Sequence, residues 1–200
     1  MDAIVFRDAI EADIPALVAL VTSAYRGDAS RAGWTTEADL LDGNRIDPDV
    51  LRGDILRPGS RVLLAERDGI LLGCAHVGIE DGAGYFGMFA IRPDLQGAGL
   101  GKRLLAEAEG MVREEWKLPA MRMTVIDVRD ELIAFYERRG YRRTGIKKPF
   151  PATEPRGGRP RRDDRRFEVR EKFLGGVCRE RTLDPGLGDR RTAAWGNHGG

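Results

Sequence analysis

Residues 88–91 read Met-Phe-Ala-Ile, then come Arg-Pro-Asp-Leu and the run Gln96-Gly97-Ala98-Gly99-Leu100-Gly101-Lys102. This junction constrains the fold more than any other part of the chain. The apolar run predicts a buried strand, and Pro93, which has no N–H for a ladder, predicts its end. Leu100, Leu104, Ala108 and Met111 then recur at helical spacing, flanked by Leu105 and Val112. The order is strand, glycine-rich bend, helix. At such a helix start the first amides lack an intrahelical acceptor, and the aligned peptide dipoles add positive potential. Those two properties together make a phosphate cradle.

Spacing separates the phosphate motifs. A Walker loop, G-x-x-x-x-G-K-[ST], has its second half in Gly101-Lys102, but Gln96 stands where the first Gly belongs and Arg103 replaces the Ser/Thr. The dinucleotide fingerprint G-x-G-x-x-G fails at its third Gly, where Lys102 stands. What remains is Gln96-x-x-Gly99-x-Gly101 after a strand ending in Ile91-Arg-Pro. That arrangement resembles the pyrophosphate motif of the GNAT superfamily of acyl-CoA-dependent N-acetyltransferases. A second stretch, Leu132-Ile-Ala-Phe-Tyr136-Glu-Arg-Arg-Gly140-Tyr141, is similar to the superfamily's A-x-x-x-Y-E-x-x-G-F/Y segment, with Leu132 in place of the usual Ala. The resemblance spans roughly residues 3–174.

The resemblance implies a mixed α/β (α+β) fold: a twisted, mostly antiparallel central sheet of about six to seven strands, splayed at the cofactor cleft and flanked by helices. It implies acetyl-CoA as cosubstrate. The backbone of Phe89, Ala90 and Ile91 is expected to pair with the pantetheine arm as an added strand. Amides of Gly97, Ala98, Gly99, Leu100, Gly101 and Lys102 are expected to hold the pyrophosphate, with Gln96 orienting the bend. Asp130 stands in for the family's usual Asn, whose own spacing falls on Arg129. Tyr136 matches the family's general acid, which protonates the departing thiolate; its alternative is a core aromatic. Some members carry a Glu base at the position held here by Tyr85, so the base is open, with Glu80, Asp81 and His76 as candidates. The activity implied is acetyl transfer from acetyl-CoA to a primary amine in a ternary complex. The alternative is a non-catalytic acyl-CoA-binding module.

Two hundred residues suit one acetyltransferase-like domain over 1–174, and the Gly/Arg-rich stretch 175–200, which lacks periodicity, reads as disordered. Acidic and basic residues nearly cancel at net +1, which argues against a general nucleic-acid binder. The Arg-rich loop of 156–170 is interleaved with Asp163, Asp164 and Glu168, which weakens it as a nucleic-acid site. Cys74 and Cys178 have no metal-ligand spacing, and no metal is expected. No apolar run reaches the ~20 residues of a membrane span, so a cytoplasmic protein is expected. Dimerisation is common among relatives, and nothing in the sequence reports it.

Local signals place the remaining elements. Residues 4–9 read as a strand, and Asp13 as the cap of a helix whose face is Ile14, Leu17, Val18, Val21 and Tyr25. A short helix is expected over 36–41 and a second over 48–56. Asp68-Gly69 between two apolar runs predicts a hairpin, and Glu80-Asp-Gly a second turn before a strand from Tyr85. A helix is expected from the glycines to Trp116, a strand over 121–126, a helix over 131–139, a further strand beginning at Tyr141-Arg-Arg-Thr-Gly and a last strand over 167–173. Residues 147–166 read as a long loop. Tyr25, Trp34, Tyr85 and Phe150 are candidate walls of the acceptor site.

Overall fold

The computed structural model describes residues 3–25, 41–42, 46–149, 159–160 and 166–175. The expectations for Trp34, Phe150 and the tail from 176 onward lie outside them. Seven strands form one open sheet: β1 (Val5–Asp8), β3 (Ser60–Arg67), β4 (Ile70–Glu80), β5 (Ala83–Ile91), β6 (Ala120–Ile126), β7 (Arg142–Pro149) and β9 (Arg166–Phe173), in the order β1-β3-β4-β5-β6-β9-β7. Among the described residues the α-helices are α1 (Ile14–Tyr25), α2 (Pro48–Leu56), α3 (Leu100–Gly110) and α4 (Asp130–Glu137). The fold is the mixed, mostly antiparallel architecture expected from the sequence.

Hairpin chemistry sets the first half of the sheet. Asp68 and Gly69 both have positive φ, as do Asp81 and Gly82. Paired left-handed residues make the tight turns that match strand twist. They join β3 to β4 and β4 to β5, each pair antiparallel. The one parallel pair among these strands is β5–β6. Parallel neighbours need a long crossover, and α3 supplies it.

Both faces of the sheet are covered, which explains the continuous apolar run in β3. Val62 and Leu64 pack with α1 and α2, alongside Cys74 and Ala90. Leu63 and Ala65 face the opposite way, into a core with Leu104, Leu105, Phe86, Phe89 and Phe135. A period-two strand buried on both sides reads as unbroken hydrophobicity. Among the described residues no helix is long and apolar enough to cross a membrane.

Several boundaries differ from the sequence reading. Asp13 does not cap α1. Its Oδ2 accepts from the Ile10 amide at 2.8 Å, closing a 3₁₀ turn (Glu11–Asp13) ahead of the helix. The helix expected over 36–41 fails at its end, because Leu41 sits in a two-residue strand, β2 (Leu41–Asp42), paired with β8 (Arg159–Pro160). Within the expected loop over 147–166, the described residues are strand: β7 runs to Pro149, residues 159–160 form β8, and β9 begins at Arg166. The helix after the glycines changes to a π turn at Met111–Glu115. By contrast α2 begins at Pro48 and ends at Leu56 as expected, with the Asp47 carboxylate accepting from the amides of Asp49 and Val50.

Candidate active site

The site begins with an irregularity in β5. Opposite β4, His76 pairs with Gly87 and Cys74 with Ala90, so two steps on β4 face three on β5. That extra residue is a bulge, and Met88 sits in it at φ 45°. Just before it, the pairing of β5 with β6 stops. The register covers only Gly84–Met121, Tyr85–Arg122 and Phe86–Met123. From Gly87 onward the two strands are no longer paired, and a cleft opens between them. Tyr25 at the end of α1 donates a hydroxyl hydrogen bond to the Phe89 carbonyl, which ties the bulge to α1.

Two cavities meet at Phe89. The smaller, about 240 Å³, is lined by Phe89, Ile91, Leu95, Gln96, Gly97, Gly99, Gly101, Lys102, Phe135, Arg138 and Arg139. Gly97 and Gly99 have φ of 88° and 83°, backbone that a glycine adopts without steric cost. Gly101 is small for another reason: a Cβ there would lie 2.9 Å from Phe89 Cζ. The Gln96 amide donates to the Ile91 carbonyl at 3.2 Å, tying the bend to the end of β5. Ala98 N–H goes to Leu95 O at 3.4 Å, and Arg103 N–H to Gly99 O at 3.2 Å. Among the described residues, the amides of Gly97, Gly99, Leu100, Gly101 and Lys102 make no backbone hydrogen bond. Among the described residues this lining holds three cations, Lys102, Arg138 and Arg139, and no carboxylate. A polyanionic ligand fits that charge pattern.

The larger cavity, about 360 Å³, lies on the other side of Phe89. Tyr25, Tyr85, Met88, Arg129 and Tyr136 line it, and so do Asp47, Asp54, His76 and Glu80. Tyr136 is buried, with the Phe135 ring 5.3 Å and the Tyr141 ring 5.8 Å away, both edge-on. Burial first, and then the nearby Tyr25, push its hydroxyl well above the ordinary phenol range. It therefore holds its proton throughout the physiological range. The Tyr85 ring lies across Gly87, where a Cβ would come within 2.7 Å of it.

Of the residues expected to hold cofactor, Phe89, Ile91, Gln96, Gly97, Gly99, Gly101 and Lys102 line the small cavity together. Ala90 and Leu100 bury their side chains in the core, and Ala98 lines neither cavity. Asp130 opens α4, exposed, and lines neither cavity. Its neighbour Arg129 turns into the large cavity instead, 5.8 Å over the Tyr25 ring. Of the candidate bases, His76 and Glu80 line the large cavity and Asp81 does not. Sequence reasoning missed Asp54, Arg129, Arg138 and Arg139. The two C-terminal arginines carried one legible signal: they follow Tyr136 by two and three residues, so they share its helix end.

The comparisons with known proteins agree with this geometry. A family model described as an acetyltransferase (GNAT) domain matches residues 31–150, more than half of the chain. The chain belongs to the GNAT acetyltransferase family. Solved GNAT structures share the fold at low identity. The ribosomal-protein-S18-alanine N-acetyltransferase of Escherichia coli superposes with a TM-score of 0.65 at 14% identity, covering 89% of this chain and 98% of that one. The ribosomal-protein-alanine N-acetyltransferase of Brucella melitensis gives 0.60 at 23% identity, covering 84% and 99%. The PaiA N-acetyltransferase of Thermoplasma acidophilum, solved with coenzyme A, gives 0.59 at 16% identity, covering 86% and 99%. No curated protein matches. The GNAT match ends short of β1, α1 and β9, so Tyr25, which holds the Phe89 carbonyl, lies outside it.

Proposed function

We propose that this GNAT protein is a cytoplasmic N-acetyltransferase that moves an acetyl group from acetyl-CoA to a primary amine of a small molecule or peptide. The transfer is a direct attack in a ternary complex. One observation carries the reading: Tyr136 presents a buried, protonated hydroxyl in the same cavity that Phe89 joins to the cationic glycine bend.

The smaller cavity suits coenzyme A, because its lining is cationic and its bend offers unpaired amides. Bound there, acetyl-CoA supplies an activated thioester. The chain does the rest. Lys102, Arg138 and Arg139 neutralise phosphate charge, and Gln96 keeps the bend in register with β5. The edge of β5 beyond Gly87, where pairing with β6 has stopped, offers main-chain groups to an extended arm, as an added strand would use them. On this reading a main-chain amide at the bulge donates to the developing oxyanion. Tyr136 holds the proton that the departing sulfur needs. Positioned proton transfer of this kind is worth about 10²–10⁴ in rate.

The test is thiol release from acetyl-CoA across a panel of amines, with Tyr136→Phe as the variant. Phe preserves the packing against Phe135 and Tyr141, so the fold and the acetyl-CoA affinity stay within a few-fold. Turnover is expected to fall by about 10²–10⁴. Unchanged turnover would remove Tyr136 from the reaction. Tight acetyl-CoA binding with no thiol release from any amine would make the protein an acyl-CoA-binding module.

A further inference from the structure

At neutral pH a primary amine is almost wholly ammonium, with about one part in 10³ unprotonated. The reaction proposed above needs that proton gone before attack, and Tyr85 occupies the position where some relatives carry a carboxylate. The large cavity that holds Tyr136 also borders a buried polar cluster that the mechanism has not used. His76 on β4 is 2% exposed, Asp54 on α2 is 5% exposed and Ser60 on β3 is 6% exposed. His76 and Asp54 both line the cavity.

One tautomer of the ring satisfies both contacts of the Ser60 hydroxyl. Ser60 Oγ donates its one proton to the Asp54 carbonyl at 2.6 Å. Its contact with His76 Nε2 at 2.9 Å must then run the other way, with Nε2–H donating to the hydroxyl oxygen. In that tautomer Nδ1 is the basic ring nitrogen. On this arrangement we infer that His76 takes the acceptor's ammonium proton, with Ser60 fixing its tautomer and Asp54 stabilising the charged ring. His76 is the catalytic residue; Asp54 and Ser60 are positioning residues.

The charges facing the imidazole favour this. Asp54 Oδ1 lies 3.7 Å from Nε2, with its side chain only 7% exposed. Arg57, at the end of α2, opposes it from beside Gly78: its guanidinium lies 3.8 Å from the same carboxylate, but the side chain is 53% exposed and screened. Glu80, on the same strand, adds a second carboxylate along the cavity wall. From β5 the Tyr85 ring packs at 5.9 Å from the imidazole, and it also faces Tyr136 electrostatically. From α1, Tyr25 lines the same cavity. Tyr85 thus interacts with both the base and the acid.

The protons balance. The ammonium gives one proton to His76, and the amine forms its bond to the acyl carbon. The carbon–sulfur bond breaks, and the thiolate takes the Tyr136 proton. The second nitrogen proton returns to Tyr136, and His76 releases the first to solvent.

This inference rests on the acetyltransferase reading, so the experiment measures both. The wild-type protein and the variants His76→Gln, Asp54→Asn and Ser60→Ala are assayed for kcat/KM against pH with an amine found by thiol release. Acetyl-CoA binding is followed in parallel by thermal shift. The expected result for His76→Gln is a loss of about 10² in kcat/KM at neutral pH. That deficit narrows at high pH, where the amine loses its proton unaided, and acetyl-CoA binding is unchanged. Asp54→Asn is expected to move the acid limb to lower pH, because a neutral amide stabilises the imidazolium less. A deficit in His76→Gln that stays constant across pH, or no deficit, would overturn the role of His76 while leaving the acetyltransferase reading intact. Should His76→Gln fail to fold, the acid limb of Asp54→Asn decides: unmoved, it overturns the inference. Wild-type protein that releases no thiol at any pH sinks the reading beneath it instead.

Discussion

Gly101→Ala sets two effects of known sign against each other at the point where the two cavities meet. The added Cβ would stand 2.9 Å from Phe89 Cζ, whereas carbon atoms in contact prefer about 3.5–4.0 Å. The ring must therefore yield by roughly 0.6–1.1 Å. It has little room, because the Phe86 ring lies 5.2 Å away on one side and the Phe135 ring 6.0 Å away on the other, and Phe89 is only 6% exposed. Overpacking of this kind costs about 1–3 kcal/mol. Alanine in a helix returns about 1 kcal/mol relative to glycine. The net is a destabilisation of about 0–2 kcal/mol, or a fall in Tm of up to roughly 8 °C for a domain of this size. The displaced ring should move into the bend. Acetyl-CoA affinity is then expected to fall at least about tenfold, a loss of ~1.4 kcal/mol, while the far-UV spectrum is unchanged. Thermal unfolding with and without acetyl-CoA, together with titration calorimetry, measures both. A variant that is more stable than wild type and binds acetyl-CoA equally well would refute the packing argument, because helix propensity alone would then account for the change.

Two further perturbations test the frame around the site. Arg170 is wholly buried and pairs with Glu137 at 2.8 Å and Glu168 at 3.3 Å. Arg170→Ala leaves the buried Glu168 without that cation and should cost about 3–5 kcal/mol in chemical denaturation; a loss below about 1 kcal/mol would show that Arg143, 3.1 Å from Glu168, suffices. The Arg7 guanidinium, hydrogen-bonded to Asp13 at 2.7 and 2.8 Å, holds that carboxyl below its ordinary value of 3.8. A depressed carboxyl stabilises the fold above its unfolded value, and the contribution disappears as pH falls through the folded one. Asp13→Asn should therefore cost stability at pH 7 and progressively less in acid, below about pH 4; a deficit independent of pH would mean that the ion pair contributes nothing.

Much of this frame was legible because single residues dictate local backbone. Asp68-Gly69 and Asp81-Gly82 forced two hairpins, and Asp47-Pro48 opened α2. The glycine bend was legible because Gly97 and Gly99 need positive φ and Gly101 needs space. The edge strand β7 was legible only at its start, from Tyr141-Arg-Arg-Thr-Gly, and its course on to Pro149 was not. Its residues are mostly exposed, so no period-two burial marks it, and only pairing with β9 makes it a strand. Leu41 failed for a similar reason: its partner is Pro160, far along the chain. Asp54 reads as one polar residue of an ordinary helix, and its meaning arises only when β3 and β4 bring Ser60 and His76 beside it.

The bulge at Met88 was the least legible feature and has the widest consequence. A methionine gives no sign of positive φ, since left-handed backbone is costly for any residue with a long side chain. The strain must be met by contacts from elsewhere. Tyr25 supplies one by donating to the Phe89 carbonyl, and Cys74 Sγ lies 3.8 Å from the Met88 carbonyl. Turning those carbonyls toward α1 and β4 directs the following part of β5 away from β6, and the unpaired edge becomes a wall of both cavities. Tyr25 comes from a helix beyond the family-matched span, whereas Gly87, which gives the Tyr85 ring its space, lies within it. The cleft is thus cut by the middle of the chain and held open by its beginning, so loss of the Tyr25 hydroxyl should loosen the cleft before it loosens the sheet.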